Sequence, residues 1–531
     1  MKKYLWMSLA ALGFVACEKG IDNDNPQNGE MEKSYVAITL AADGMSTRAG
    51  ENYDGSDGTY ADGTEEERRV NSAFVFFFDE NGNAFPVNGD NNYVSIASDG
   101  FNEKEPVADN VSDVQGAVLV IENRKGEHPT KMIAVLNWVP SKNYTIAELQ
   151  TTLANLRDDL GGFVMTNAVY SQNNIEMAAS IIAPENIAEN EDAAKANPVK
   201  IYVERLAAKV TFNAVNNGLF EVGALNNSAE PKDKVFAQIE GWELYKDYAQ
   251  STYLKDIDPL WTDLGFPWND PAWNRSYWAK SLNDGNFAST NFKWNETAGE
   301  DLELNGFFYC GENTYSPEAD RTKVIIKAQL KQMNDDGITY SPIELSRWYS
   351  TDYVGDINLK TAVANTLKYS IYSGDGTTYT SIQPTDLRIV EANEAPTGTD
   401  IKAFEVFFQL EQNPSKNWFQ YVNGEYVPAD EAVINARLAQ VQPALRYTQG
   451  QTYYYTDIKH LGAPGTTTEY GVVRNHVYQF MINDIIGYGT PVFDGNTDFN
   501  TPEKPKDVNT FVAAEINILS WRLVNQNQTL N

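Results

Sequence analysis

The sequence predicts an all-β protein with few, short helices, and three observations carry that prediction. Apolar residues alternate with polar ones in short segments along most of the chain. Clear helical spacing is seen at one place and a weaker case at a second. The 531 residues include 24 Phe, 29 Tyr and 11 Trp within a 42% apolar content, enough to fill more than one core. Strand-rich sequence with sparse helices points to β-sandwiches.

The strands follow in order. Residues 35–41 place Val36, Ile38 and Leu40 on one face. Residues 73–78 form a nearly continuous apolar run closed by the turn Asp79-Glu80-Asn81-Gly82, the pattern of a strand buried on both faces. Segments 117–121, 131–138, 201–212, 323–330 and 404–410 continue the theme. The best helix is predicted over 146–160 from Ile146, Leu149, Leu153, Leu156 and Leu160, with Thr145 and Glu148 as its capping box and Gly161 as its stop. A weaker one covers 430–438. Within 197–215 the alternation runs Ile201, Val203 and then shifts to Leu206, Ala208, Val210, Phe212. A one-residue shift sends side chains to the other face, so this strand is expected to leave one core for another. That places a domain boundary near residue 212.

Charge and composition exclude several functions. With 73 acidic and 41 basic residues the net charge is −32, which opposes binding to nucleic acid or to anionic membrane surfaces. Two cysteines, Cys17 and Cys310, rule out a disulfide scaffold, and Cys310 sits in an apolar run that reads as a buried, inert thiol. The histidines, His128, His460 and His476, are far apart in sequence. No phosphate-binding loop, dinucleotide fingerprint or zinc motif is present. The acidic loops at 54–67 and 79–84 lack the glycine that a calcium loop needs at its sixth position. No catalytic residue, metal or cofactor is expected, and no enzyme. Trp261, Trp268, Trp273 and Trp278 crowd one stretch, where they either stack on sugars or pack over a sandwich end.

Residues 1–17 read as an export signal. Lys2 and Lys3 precede a short apolar stretch ending Phe14-Val15-Ala16-Cys17, which resembles a bacterial lipobox with Cys17 as the lipid-modified residue. Residues 18–33 form a polar tether. The next segment ends Thr47-Arg48-Ala49-Gly50 in a polar, Gly-rich loop, the kind of place where a protease finds its target. A cut between Arg48 and Ala49 would release residues 34–48 with Val36, Ile38 and Leu40, about 1.5–3 kcal/mol of burial for each side chain. Arg68 and Arg69 are rival sites. Near the other end, 494–509 reads as an arm followed by a strand at about 511–524. There Ile516 and Ile518 alternate on one face and Leu519, Trp521 and Leu523 on the other. Two readings stand open: donation of this strand to a neighbouring molecule, which repeated would build a filament, or return into its own sheet.

An ordered set of motifs extends this reading. It comprises the lipobox at Cys17, the Thr47-Arg48-Ala49-Gly50 site, the strand at 70–79, Ile133-Ala134-Val135-Leu136-Asn137 and Phe163-Val164-Met165-Thr166-Asn167. Then come Val203-Glu204-Arg205-Leu206-Ala207-Ala208-Lys209-Val210, Gly241-Trp242-Glu243-Leu244 with Tyr253-Leu254, and Arg275-Ser276-Tyr277-Trp278. Tyr309-Cys310-Gly311-Glu312-Asn313-Thr314 and Val473-Arg474-Asn475-His476-Val477-Tyr478 close the set. With these the chain resembles the major fimbrial subunits (fimbrillins) of type V pili in Bacteroidales, close to the minor-fimbria major-subunit family.

The resemblance implies two transthyretin-like β-sandwich domains, 49–212 and 213–531. It implies an outer-membrane lipoprotein precursor, its lipid anchor lost on maturation, and an Arg-specific processing protease resembling gingipains. It further implies polymerisation by strand exchange into surface fimbriae, with other copies of the chain and with accessory anchor and tip subunits as partners. The alternative is a SusD-like surface glycan-binding lipoprotein, which would be mostly helical.

Overall fold

The computed structural model describes residues 31–42 and 59–60, most of 64–496, and the strands 511–519 and 522–526; the wider stretches left out between 64 and 496 are 97–101, 105–112, 258–278, 296–303 and 395–401. Cys17, Arg48, Ala49, Trp521, Trp261, Trp268, Trp273 and Trp278 lie outside the described residues, as do the side chains of Leu40, Ile516, Ile518, Leu519 and Leu523.

The first sheet uses β1 (Met31–Ala42), β2 (Ala73–Phe78), β3 (Tyr93–Ile96), β4 (Asn102–Lys104), β5 (Asp113–Arg124), β6 (Lys131–Leu136), β7 (Met165–Asn167) and β8 (Val199–Arg205). Its order is β3-β2-β6-β7-β8-β1-β5-β4. The sheet curls until β3 touches β5, and the Glu122 N–H of β5 donates to the Val87 carbonyl at 2.7 Å. Val36, Ile38, Val75, Phe77, Leu119, Ile121, Met132, Ala134, Ile201 and Val203 fill the enclosed core. Strand β2 is buried on both faces, because Phe76 and Phe78 turn outward into a second core.

The chain enters that second core within a few residues. Ile201 and Val203 serve the first core, and Leu206, Ala208, Val210 and Phe212 serve the second; Ala207 points back to the first. The segment expected as one strand over 201–212 is therefore two, since β9 (Ala208–Ala214) belongs to a different sheet from β8. The shifted alternation is the cause: a strand that exchanges its faces cannot keep serving one core.

The second core lies between two sheets. The strands are β10 (Leu219–Ala224), β11 (Lys234–Tyr245), β12 (Phe307–Cys310), β13 (Lys323–Met333), β14 (Gln451–Asp457), β15 (Val477–Ile486), β16 (Phe511–Leu519) and β17 (Arg522–Gln526). One sheet runs β12-β9-β15-β16-β17 and ends on Thr59–Tyr60; the other runs β10-β11-β13-β14 and ends on Thr490–Pro491. Val210, Phe212, Phe480 and Ile482 meet Val235, Trp242, Val324 and Ile326 between them, with Phe212 stacked on Trp242 at 5.1 Å.

Five helices occur among the described residues: α1 (Glu65–Arg68), α2 (Ile146–Thr151), α3 (Glu191–Ala196), α4 (Asp356–Leu367) and α5 (Glu431–Leu438). Strand dominates, as an all-β fold requires and as a mostly helical glycan-binding alternative does not. The helix expected over 146–160 is corrected. The Thr145–Glu148 capping box starts it, but it stops at Thr151 with Thr152 extended, and Leu153–Asn155 then pairs with Gln250–Thr252 as a strand. Two consecutive β-branched residues and an available strand partner outweigh the leucine spacing. Gly161, at φ 83°, lies instead in the turn that follows Asp158. The longest of these helices, α4, was not anticipated. Its Leu359, Val363 and Leu367 join Ile371, Val406, Phe408 and Trp418 in a third core placed between β13 and β14 in sequence.

Candidate functional site: the slot of the first strand

Strand β1 is an interior strand. It pairs antiparallel with β5 along all twelve residues, from Met31 opposite Arg124 to Ala42 opposite Asp113. On its other side Ile38–Ala42 run parallel to Val199–Val203, while Tyr35 and Val36 meet Ala188 and Ile187 antiparallel. The side chains of Val36 and Ile38 are buried in the first core, and Ala37 is buried on the opposite face, where α3 packs against β1. Near its exposed start Lys33 pairs with Glu122 at 3.5 Å. Without β1 the sheet would divide between β5 and β8. Two strand edges would lose their partners, and Ala117, Leu119, Ile121, Val199, Ile201 and Val203 would line an open apolar slot.

The predicted donor segment takes up the second reading here: it lies in its own chain's sheet. Strand β16 pairs antiparallel with β15, Ile516 opposite Phe480, Ile518 opposite Tyr478 and Leu519 opposite Val477, with a register shift between Ile482 and Asp484. Strand β17, carrying Leu523, folds back on β16 and is covered by Thr59 and Tyr60. Among the described residues the hairpin thus stands near the end of its sheet, with the two-residue strand Thr59–Tyr60 as its outer neighbour.

Between the slot and the second core lies a buried polar junction, to which the motifs at 203–210, 309–314 and 473–478 contribute. The Glu67 carboxylate, in α1, accepts from Lys209 Nζ at 2.9 Å, from the Tyr309 hydroxyl and from the Thr64 N–H at 2.7 Å. Burial pushes its pKa up, but the bonds from Tyr309, Lys209 and Thr64 outweigh burial and hold it below the usual carboxylate value. The Glu67 carbonyl accepts from Arg205 Nε at 2.7 Å, and Arg205 Nη1 reaches Asn475 at 3.3 Å. Deeper in, Arg474 donates to Glu312 at 2.9 and 3.2 Å and to Thr252 at 3.0 Å, with both charges shielded from solvent. Lys255 pairs with Glu204 at 3.0 Å, whose pKa burial raises. The partners named here come from separate strands and loops, so these enclosed ion pairs fix how those segments meet.

The remaining candidates have structural surroundings. Cys310 is fully buried, which pushes its thiol up and keeps it unreactive. Asp79 is occupied in its own turn, accepting from the Asn81 and Asn83 N–H groups at 2.9 and 2.8 Å. His460 and His476, apart in sequence, lie with ring centres 5.0 Å apart, and His460 Nδ1 is 3.0 Å from the Tyr478 hydroxyl. Among the described residues no group of three or more His, Cys, Asp or Glu side chains is arranged to hold a metal ion. Glu67 was missed as a functional residue. Its one local signal is the capping pair Thr64 and Glu67, which fixes a helix start and says nothing of Lys209 or Tyr309.

Comparison with known proteins bears on the carboxy-terminal part. Residues 445–527, which span β14 to β17, match the family model for the C-terminal part of major fimbrial subunit protein type IV, fimbrillin. That family consists of fimbrial structural proteins, not enzymes. No curated protein matches the chain. Among solved structures it is similar to a candidate cell-adhesion protein of Bacteroides eggerthii, at 11% identity over 91% of this chain and 95% of that one, with a TM-score of 0.32. It is similar also to a candidate cell-adhesion protein of Parabacteroides distasonis, at 10% identity over 91% and 99%, with a TM-score of 0.33. A third likeness is to the C-terminally truncated tip fimbrial protein Mfa3 of Porphyromonas gingivalis, at 10% identity over 90% and 99%, with a TM-score of 0.27.

Proposed function

We propose that this chain, fimbrillin-like over residues 445–527, is a fimbrial subunit that polymerises when a protease removes its first strand. In this reading Cys17 carries the lipid of an outer-membrane precursor. Cleavage between Arg48 and Ala49 by an Arg-specific protease frees residues 34–48 together with the anchor. The vacated slot then receives the strand at 511–524 of another copy, and repetition builds a surface fibre that anchor and tip subunits complete. Domains at 49–212 and 213–531 belong to the same reading.

The observation that carries it is the position of β1. A strand bonded on both edges and buried on both faces leaves, on removal, a gap that only another strand fills well. The candidate donor sits near the end of its own sheet and has the alternation a filler needs. Such exchange is a head-to-tail contact that does not close on itself, so it yields a filament.

The test is digestion of purified precursor with an Arg-specific protease. The chain beginning at Ala49 is expected to form heat-resistant ladders on gels, and deletion of residues 511–531 is expected to abolish them while the monomer stays folded. Ladders from the truncated protein would remove the donor assignment.

A further inference from the structure

Two arginines beyond the proposed cut, Arg68 and Arg69, present the same chemistry to the same protease, and Arg69 is exposed. Cleavage there would also free β1, but it would take α1 with it. A protease binds its substrate as an extended strand, so residues on both sides of the bond must leave whatever structure holds them.

Residues 64–72 are held at nearly every step. Thr64 and Glu67 exchange the reciprocal bonds of a capping box, which keeps 65–68 helical. The Glu67 side chain is clasped by Lys209 of β9 and Tyr309 of β12, and its carbonyl by Arg205 of β8. The Arg69 carbonyl, which a protease would have to polarise, already accepts from Asn137 Nδ2 at 2.7 Å. The next residue but one, Asn71, donates its N–H to Asn137 Oδ1 at 2.6 Å and its amide to Asp158 at 2.8 Å. Glu66 adds an exposed pair with Arg157 at 2.9 Å. Of these, the Glu67 clasp alone ties the helix to the second core's strands, so opening the helix requires extracting a buried carboxylate from three donors.

We infer that Glu67 is the positioning residue that decides which arginine is cut: its clasp on Lys209 and Tyr309 keeps the bonds after Arg68 and Arg69 out of a protease's reach. The inference rests on the proteolytic reading above. It adds that α1 survives maturation and keeps the new amino-terminal segment fastened to β9 and β12.

The experiment digests the full precursor, as wild type, Glu67→Ala, Tyr309→Phe and Val363→Ala, with an Arg-specific endopeptidase, and follows new termini by mass spectrometry. In the wild type no terminus at Arg69 or Val70 is expected while the Arg48–Ala49 bond is consumed. Glu67→Ala should raise the initial rate after Arg68 or Arg69 at least tenfold, and Tyr309→Phe should raise it by less. Val363→Ala weakens the distant third core and should leave it unchanged.

Wild-type cleavage at Arg68 or Arg69 as fast as at Arg48 overturns the inference. So do folded Glu67→Ala and Tyr309→Phe proteins cut no faster than wild type, and so does an equal rise in Val363→Ala. If Glu67→Ala does not fold, the comparison of Tyr309→Phe with wild type decides. A wild type left uncut at Arg48 removes the proposed function, while the rates after Arg68 and Arg69 still judge the clasp.

Discussion

Val36 of β1 lies opposite Leu119 of β5, and both side chains are buried in one core. The segment proposed for removal is thus built into the centre of the precursor's first sheet, and its loss is a structural event for the whole sheet.

Ile38 is fully buried beside Val36. Ile38→Ala should lower precursor stability by about 2–5 kcal/mol, the range for truncating a buried aliphatic side chain. Urea denaturation of the precursor measures it; a loss below about 1 kcal/mol would mean that the core closes around the deletion and the slot is shallow.

Arg474 and Glu312 form an enclosed pair. Arg474→Met alone should destabilise by about 3–5 kcal/mol, because Glu312 is left buried without its partner. The double variant Arg474→Met with Glu312→Leu should recover much of that loss. Equilibrium unfolding of the three proteins gives the coupling, and additive losses would show the pair to be independent.

Burial pushes the Asp247 carboxyl up to about 6, against an ordinary 3.8, with only backbone N–H groups opposing it. The folded chain therefore binds this proton more tightly than the unfolded chain. The cost of ionising it in the fold is full above pH 6 and fades as pH falls toward 4. Asp247→Asn should raise stability at pH 7 by about 2 kcal/mol after allowing for the residue's partial exposure, with no gain near pH 4. Thermal unfolding across that range checks both the size and the sign.

Gly311 has no room for a side chain: a Cβ there would lie 2.2 Å from the Gln250 carbonyl oxygen and 3.0 Å from that of Tyr248. Both obstacles are backbone, so Gly311→Ala should cost about 1–3 kcal/mol or more. A melting temperature unchanged from wild type would contradict the close approach.

What the sequence determined by itself was local. A nearly continuous apolar run closed by a turn located the strand at Ala73–Phe78 residue for residue and pointed to its burial on both faces. The shifted alternation after Val203 marked where the chain changes cores, and Thr145 with Glu148 marked a helix start. These signals are legible because side-chain direction and capping depend on neighbours a few residues away.

Tertiary structure decided the rest. Leu153 and Leu156 keep the spacing of a continuing helix; Thr151 and Thr152 weaken it locally, and the partner strand at Gln250–Thr252 turns the segment into a strand and its exit. Glu67 meets Lys209 and Tyr309, and Arg474 meets Glu312, only because separate strands deliver them to one junction. That β1 lies between β5 and β8, and not at an edge, is set by which strands close around it. The physical reason is one of range: local pattern fixes which way a side chain faces, whereas its partner is chosen by the packing of the assembled core.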